Sequence, residues 1–269
     1  MKLSRLRRIH QSLGLLLGFF GFTGIGMTHL IFPGLHCYAC PLSITICPIG
    51  LMQNLVIYGT VPYFLVGTIV AYGLIAGRGF CGWFCPFGFL NDLLSFRKVR
   101  IKRAASFGKF LVLVGTILAA WAFADTMFCK VCPVASIEAS IPYLFMGVAQ
   151  VNRPFLIHMG TLAGTLVGMV IIARFWCRYL CPMGALLALF NRVSFLHLSL
   201  DRRACSQCAA CAAVCPMGLE PHTEYDDHNC IKCGACTEAC SLGALRLTLS
   251  LRIAGKAVRE ARAPRSDSS

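Results

Sequence analysis

Long apolar stretches separated by short polar connections fill the first 192 residues of the chain. Between Ile9 and Gly77 there is no Lys, Arg, Asp or Glu. A helix needs about 20 apolar residues to cross a bilayer, so this stretch has room for two spans, and two more follow it. The predicted spans are Ser12–Phe32, Gln53–Ala76, Phe107–Phe128 and Pro154–Ala173. The pattern predicts an all-α membrane domain of four transmembrane helices over residues 1–192.

Basic residues are concentrated in segments that four spans would leave on one side. Of the 25 Lys and Arg residues, 23 lie in those segments, and only Lys130 and Arg153 lie in the opposite loops. Because positive residues concentrate in short cytoplasmic segments, we expect a multi-pass protein of the cytoplasmic (inner) membrane with both termini in the cytoplasm. Met1–Met27 resembles a signal peptide but has no small-residue cleavage site, so we interpret it as a retained helix.

The composition agrees with a membrane protein. The chain is 57% hydrophobic and 13% charged, whereas about a quarter of the residues in a soluble domain are charged. The net charge of +14 follows from the side on which the basic residues lie, so we expect no nucleic acid among its partners.

Cysteine motifs divide the membrane domain into two similar halves. A Cys-x2-Cys-Pro motif follows the first and third spans, beginning at Cys37 and, 92 residues later, at Cys129. A Cys-x3-Cys-Pro motif follows the second and fourth spans, beginning at Cys81 and, 96 residues later, at Cys177. Both halves start on the same side, so they are predicted to be parallel helix-pair repeats related by an axis along the membrane normal.

Such an axis brings equivalent motifs together at one depth. Pro86 and Pro182 favour extended backbone at the preceding cysteines, and Gly88 and Gly184 would allow a tight turn after them. We therefore predict an inner-face site that holds an additional cluster, with packed structural cysteines as the alternative. Its four thiols are Cys81, Cys85, Cys177 and Cys181.

The outer motifs form a second candidate site, which holds either a cluster or a pair of redox-active disulfides. Its thiols are Cys37, Cys40, Cys129 and Cys132. Cys47 has no counterpart in the second half, and the sequence leaves open whether it is a ligand or a packed thiol.

Eight of the 17 cysteines form two further runs, each spaced Cys-x2-Cys-x2-Cys-x3-Cys. This spacing is typical of two [4Fe–4S] clusters, where the fourth cysteine of each run binds the other cluster. A zinc site would need only two Cys-x2-Cys pairs, and a disulfide framework suits oxidising compartments. Cluster 1 is assigned to Cys205, Cys208, Cys211 and Cys240, and cluster 2 to Cys230, Cys233, Cys236 and Cys215.

Alternating apolar residues flank these runs at 195–200 and 244–249. They predict the two outer strands of a small α+β double [4Fe–4S] ferredoxin domain over residues 193–250, facing the cytoplasm. Residues 251–269 are basic and rich in small residues without periodicity, which predicts a disordered tail.

Taken together, the four spans, the two inner motifs and the double cluster run resemble the NapH type of membrane quinol dehydrogenase. The NosR and CcoG membrane iron–sulfur proteins share parts of this pattern. The resemblance implies a quinol dehydrogenase component of an anaerobic respiratory chain, which takes electrons from the quinone pool. It also implies a redox partner protein, which could be a periplasmic iron–sulfur protein, a cytochrome or a reductase subunit.

Two histidines, His29 and His158, lie near the outer ends of their predicted spans. Ionisable groups inside a membrane are candidates for function, so each could contact quinol or ligate a haem, or simply bond a backbone carbonyl. The alternative function for the chain is an accessory protein for metalloenzyme maturation or redox regulation. Reduction of the clusters by quinol would separate these two classes.

Overall fold

The computed structural model describes residues 3–18, 31, 37, 47–61, 63–95, 107–148, 150–225 and 227–250. In the first half of the chain the helices are α1 Leu3–Gly18, α2 Pro48–Ile57, α3 Tyr63–Ala76, α4 Gly79–Trp83 and α5 Pro86–Leu94. In the second half they are α6 Gly108–Phe123, α7 Pro133–Ala135, α8 Ile141–Phe145, α9 Arg153–Ile171, α10 Phe175–Tyr179 and α11 Pro182–Phe190.

The second and fourth predicted spans each lead into the same pair of short helices. Helices α4 and α10 begin 96 residues apart, at Gly79 and Phe175, and α5 and α11 also begin 96 residues apart, at Pro86 and Pro182. This matches the repeat distance of the inner cysteine motifs, so the two halves share their local structure as well as their motif.

The helices differ in length from the predicted spans. The segment Gln53–Ala76 is not one helix: α2 ends at Ile57, Gly59 has a positive φ of 62°, and α3 begins at Tyr63. Among the described residues, α9 alone is both long and apolar enough to cross a membrane by length and composition. Most of the first predicted span, from residue 19 onward, lies outside the described residues.

Within residues 1–192, each described cysteine that precedes a proline stands immediately before a helix. Cys85 and Cys181 have extended backbone with φ and ψ of −68° and 120° and of −71° and 110°, and the following proline is the first helical residue. Proline is favoured there because the first helical N–H needs no partner within the helix. The predicted extended backbone at these two cysteines is therefore confirmed.

The predicted tight turns at Gly88 and Gly184 are wrong, since both glycines lie inside helices α5 and α11. A Cβ on Gly88 would lie 2.7 Å from the Cys81 carbonyl oxygen, and one on Gly184 would lie 3.3 Å from the Cys177 carbonyl oxygen. Glycine is required here because the helix and the preceding motif approach closely, not because a turn is formed.

After α6 the chain makes a 3₁₀ turn at Cys129–Val131 and then a continuous helical segment through α7 and α8. Ser136–Ser140, between α7 and α8, is a π-helical turn. Such turns are rare and occur frequently at functional sites.

The two predicted strands of the C-terminal domain are confirmed. Strands β1 (Leu196–Leu200) and β2 (Leu245–Leu249) pair antiparallel, with Leu196 opposite Leu249 and Leu200 opposite Leu245. Two short helices, α12 (Ala210–Ala213) and α13 (Ala235–Ala239), lie between the strands and pack against each other. The predicted tail, 251–269, lies outside the described residues.

Candidate functional site

The thiols of the two inner motifs converge in the interior of the protein. Cys81, Cys85, Cys177 and Cys181 are all buried. Burial raises the pKa of the Cys181 thiol well above its usual range, and negative charge on Cys177 or Cys81 would raise it further. The Cys181 sulfur also accepts a hydrogen bond from the Gly184 N–H at 3.2 Å. A negatively charged group held by these thiols would therefore need positive charge nearby.

Two fully buried arginines supply that charge. Arg78 donates from Nη2 to the Cys177 carbonyl oxygen at 2.7 Å, and Arg174 donates from Nη1 to the Cys81 carbonyl oxygen at 3.1 Å. The arginines stand 96 residues apart, so each half reaches across to the cysteine motif of the other. The sequence analysis did not single out either arginine as a site residue, although the 96-residue repeat distance relates them.

The neighbours of the two arginines differ. Arg174 forms a two-point ion pair with Asp92, at 2.8 Å and 2.5 Å, and Arg7 approaches the same carboxylate at 3.1 Å. Burial acts to raise the pKa of Asp92, but Arg174 and Arg7 together hold it below the usual value. Arg78 instead donates from Nη1 to Asn229 Oδ1 at 3.3 Å.

Two N–H donors beside the inner thiols lack an acceptor. Arg78 Nε and Trp176 Nε1 are buried and have no hydrogen-bond partner among the described residues. Buried donors are almost always paired, and the sulfides of a cluster can accept hydrogen bonds that tune it. Orphan donors, four buried thiols and two buried cations fit an anionic cluster at this position.

In the C-terminal domain, all four cysteines assigned to cluster 2 line one narrow cavity. Burial raises the pKa of the Cys236 thiol, and negative charge on Cys230 or Cys233 would raise it further. Cys215, from the first run, lies in this cavity together with the second run. This arrangement agrees with the crossed ligand assignment made from the sequence.

The thiols assigned to cluster 1 are less enclosed. Cys211 is buried, Cys205 and Cys240 are partly buried, and Cys208 is exposed. Negative charge on Cys205 would raise the pKa of Cys211, after the larger effect of burial. Within the described ranges, no three Cys, His, Asp or Glu side chains are placed to bind one single metal ion. A four-iron cubane holds its thiolates farther apart than a single metal ion does, because the cluster is larger than the ion.

The cluster 2 loop rests directly on the inner motifs. The Trp83 indole donates from Nε1 to the Lys232 carbonyl oxygen at 2.9 Å, and a Cβ on Gly82 would lie 2.3 Å from the Ile231 carbonyl oxygen. Asn191 donates from Nδ2 to the Cys230 carbonyl oxygen at 2.9 Å. The cavity that Cys230 lines therefore adjoins the inner thiols.

An aromatic contact links the inner motif to the outer one. The ring centroids of Phe128 and Trp176 are 6.3 Å apart, and those of Phe87 and Trp176 are 6.1 Å apart. All three rings are buried. The segment that carries Cys129 therefore folds back toward the inner motif.

The outer motifs are only partly described. Cys40 lies outside the described residues, Cys37 and Cys129 are partly buried, and Cys132 is buried. The Cys37 N–H donates to the Glu138 carboxylate at 2.6 Å. Cys47, which has no counterpart in the motif repeat, is buried in the same core as Cys132.

His158 lines a cavity of about 520 Å³ near the start of α9. Its Nδ1 lies 3.1 Å from Ser140 Oγ and 3.4 Å from Ser136 Oγ, both in the π-helical turn. Tyr143 and Phe155 contribute aromatic walls to the cavity. His29, the other histidine singled out by the sequence, lies outside the described residues.

Comparison with known proteins identifies the class. The family described as "4Fe-4S binding domain" matches residues 58–104, 109–139 and 156–201, which include both inner motifs and Cys129–Pro133. The chain is an iron–sulfur protein that binds [4Fe–4S] clusters. Together with relatives named NapH and MauN, this match supports a NapH-type ferredoxin family for the chain.

Three relatives show the extent of the similarity. An uncharacterized protein of Methanocaldococcus jannaschii is 27% identical over 66% of this chain and 76% of its own length. The methylamine utilization ferredoxin-type protein MauN of Methylorubrum extorquens is 27% identical over 57% of this chain and 52% of its own length. The ferredoxin-type protein NapH of Escherichia coli is 30% identical over 57% of this chain and 51% of its own length.

The chain thus spans about half the length of the MauN and NapH relatives. No solved structure matches the chain.

Proposed function

We propose that the chain is a multi-pass protein of the cytoplasmic membrane that takes electrons from quinol and passes them through its inner-face site to its C-terminal clusters. Quinol oxidation is the function implied by the NapH-type resemblance. The C-terminal domain lies in the cytoplasm in this proposal, as the distribution of basic residues indicates.

The observation that carries the proposal is the continuity between the inner thiols and the cluster 2 cavity. Cys81, Cys85 and Cys181 belong to one buried core, and Cys215, Cys230 and Cys233 pack against that core. Bound clusters would supply one-electron transfer at potentials set by charge, hydrogen bonding and solvent exposure. Inner cysteines with only a packing role would not require two buried arginines beside them.

The residues around the inner site have defined roles. Arg78 and Arg174 place positive charge beside the thiols and fix the carbonyls of Cys177 and Cys81. Trp83 and Asn191 hold the Cys230–Lys232 loop over the inner motifs. The apolar core excludes water, which strengthens these interactions.

The His158 cavity is the proposed quinol site. A quinol ring is flat, apolar on its faces and polar at its two hydroxyls, and ligand sites typically combine apolar walls with a few polar groups. His158 offers one ring nitrogen as an acceptor for a quinol hydroxyl proton, and Ser140 fixes the imidazole from its other side.

The alternative is an accessory protein for metalloenzyme maturation. The exposed thiol of Cys208 is the observation that favours it, because a cluster or reducing equivalents handed to another protein must be reached from the surface. Cluster reduction by quinol is not needed for that role.

The test uses the full chain, purified without oxygen in detergent or nanodiscs with its clusters intact. Addition of a quinol should reduce the C-terminal clusters, and EPR measures this reduction. In Cys81→Ser, quinol should no longer reduce them, whereas dithionite should still do so. Failure of quinol to reduce the wild-type clusters, when dithionite succeeds, would overturn the proposed direction and favour the accessory role.

A further inference from the structure

Cys47 lies with the cysteines of the second outer motif, although it has no counterpart in the motif repeat. Cys47 and Cys132 are buried in one core, and Cys37 packs against that core. Negative charge on Cys47 would raise the pKa of both Cys129 and Cys132, after the larger effect of burial. Cys47 therefore lies near the thiols of the Cys129–Cys132 segment, and Cys37 packs against the same buried core.

Gln53 connects these segments. It donates from Nε2 to the Cys129 sulfur at 3.4 Å, while its Oε1 accepts from the Phe128 N–H at 3.1 Å. Gln53 is fully buried and lies on α2, the helix that begins directly after Cys47. The helix after Cys47 is thus fastened to the turn that carries Cys129.

The backbone at Cys47 and Cys132 repeats the geometry of the inner motifs. Cys47 has φ and ψ of −69° and 122°, and Cys132 has −77° and 120°, each followed by a proline that starts a helix. Cys85 and Cys181 have nearly the same values. Cys47-Pro48 therefore has the same local backbone as Cys132-Pro133, whereas Cys40-Pro41, the pair that the motif spacing favours, lies outside the described residues.

We propose that Cys47, Cys129 and Cys132, with Cys37 as the fourth ligand, form a further iron–sulfur cluster site. The proposal does not depend on the direction of electron flow or on quinol. Soft thiolate ligands select iron–sulfur clusters or zinc over harder metals, and the ligands must lose their protons when the metal binds. The backbone N–H of Cys37 donates to the Glu138 carboxylate, which holds the backbone at the fourth thiol.

The test is the iron and sulfide content of the intact protein purified without oxygen. Cys47→Ser and Cys129→Ser should each lose about four irons and four sulfides per chain relative to wild type, together with one EPR or Mössbauer component. Cys40→Ser is the matched control, because it removes the cysteine chosen by motif spacing and should keep the wild-type content.

The C-terminal cluster signals serve as the internal check on folding, and they should persist in every variant. Wild-type iron content in Cys47→Ser with those signals intact would overturn the proposal. So would zinc in place of iron at this site, or a Cys129–Cys132 disulfide found by mass spectrometry in protein that was never exposed to oxygen. Loss of iron in Cys40→Ser but not in Cys47→Ser would return the site to the ligand set expected from the sequence.

Discussion

Arg78 and Arg174 hold equivalent places in the two halves of the chain, and each donates a hydrogen bond to a cysteine carbonyl of the opposite half. Both side chains are fully buried. A buried charge is tolerated only where its partners are well placed, so the pair ties the two motifs into one site. The two halves differ in what balances the arginine charge. Arg174 pairs with the Asp92 carboxylate, whereas Arg78 shares the neutral Asn229 side chain with Lys109.

Replacement of Arg174 by Ala should destabilise the protein by about 3 kcal/mol, because it leaves the partly buried Asp92 carboxylate with Arg7 as its remaining cationic partner among the described residues. In Arg174→Ala/Asp92→Asn the loss should be partly recovered, since the group that lost its main partner is then neutral. Thermal unfolding of the single and double variants in the same detergent measures this coupling. Strictly additive effects would contradict a direct energetic link between the two residues.

The Asp92 ion pair also predicts a pH dependence. The folded-state pKa of Asp92 is held below its unfolded value, which is about 3.9. The pair therefore contributes stability above about pH 4, and this contribution is lost as the pH falls through the folded-state pKa. The difference in stability between wild type and Asp92→Asn should be constant from pH 7 to pH 5 and should narrow below pH 4. A stability difference that widens as the pH falls would contradict this prediction.

Much of the C-terminal domain and the inner site could be predicted from the sequence, because cysteine spacing reports ligand chemistry directly. The strands around the cluster runs alternate plainly, and the proline after Cys85 restricts the backbone locally. The role of Gly88 could not be read in this way, since the close approach of the Cys81 carbonyl is a tertiary contact. The position of Cys47 could not be predicted for the same reason, because Cys129 and Cys132, which lie near it, are more than 80 residues away along the chain.

His158→Phe should weaken quinol use without loss of cluster content. The substitution removes a polar contact in the cavity while keeping an aromatic ring, so we expect KM for quinol to rise about tenfold, as for one lost hydrogen bond. Thr161→Ala, one turn further along α9, is the control, because the hydroxyl that it removes donates to the His158 carbonyl and to no other group among the contacts described. Steady-state reduction of the clusters at varied quinol concentration measures KM. An unchanged KM in His158→Phe would place the quinol site elsewhere.

The crossed ligands of the C-terminal domain predict how cysteine variants fall into groups. Cys215→Ser and Cys233→Ser should remove the same EPR signal, because both thiols line the cluster 2 cavity. Cys205→Ser should remove a different signal, although Cys205 and Cys215 belong to the same run of the sequence. Redox titration of each variant followed by EPR makes the assignment. Matching spectra for Cys205→Ser and Cys215→Ser would show that each run binds its own cluster.

Gly82 lies against the Ile231 carbonyl of the C-terminal domain, so an added methyl group there tests whether this contact carries electrons. In Gly82→Ala the new Cβ would lie 2.3 Å from the Ile231 carbonyl oxygen, and the cluster 2 loop must move away. We expect a stability loss of about 1–3 kcal/mol, as for an overpacked core, and slower reduction of the C-terminal clusters by quinol. Their reduction by dithionite should keep its wild-type rate, since that reaction does not pass through the contact.

Gly115→Ala in α6 is the matched control, because a Cβ there meets nothing within 4 Å. Stopped-flow absorbance with each reductant measures both rates. Equal slowing with quinol and dithionite would point to damaged clusters, and an unchanged quinol rate would mean that electrons reach cluster 2 by another route.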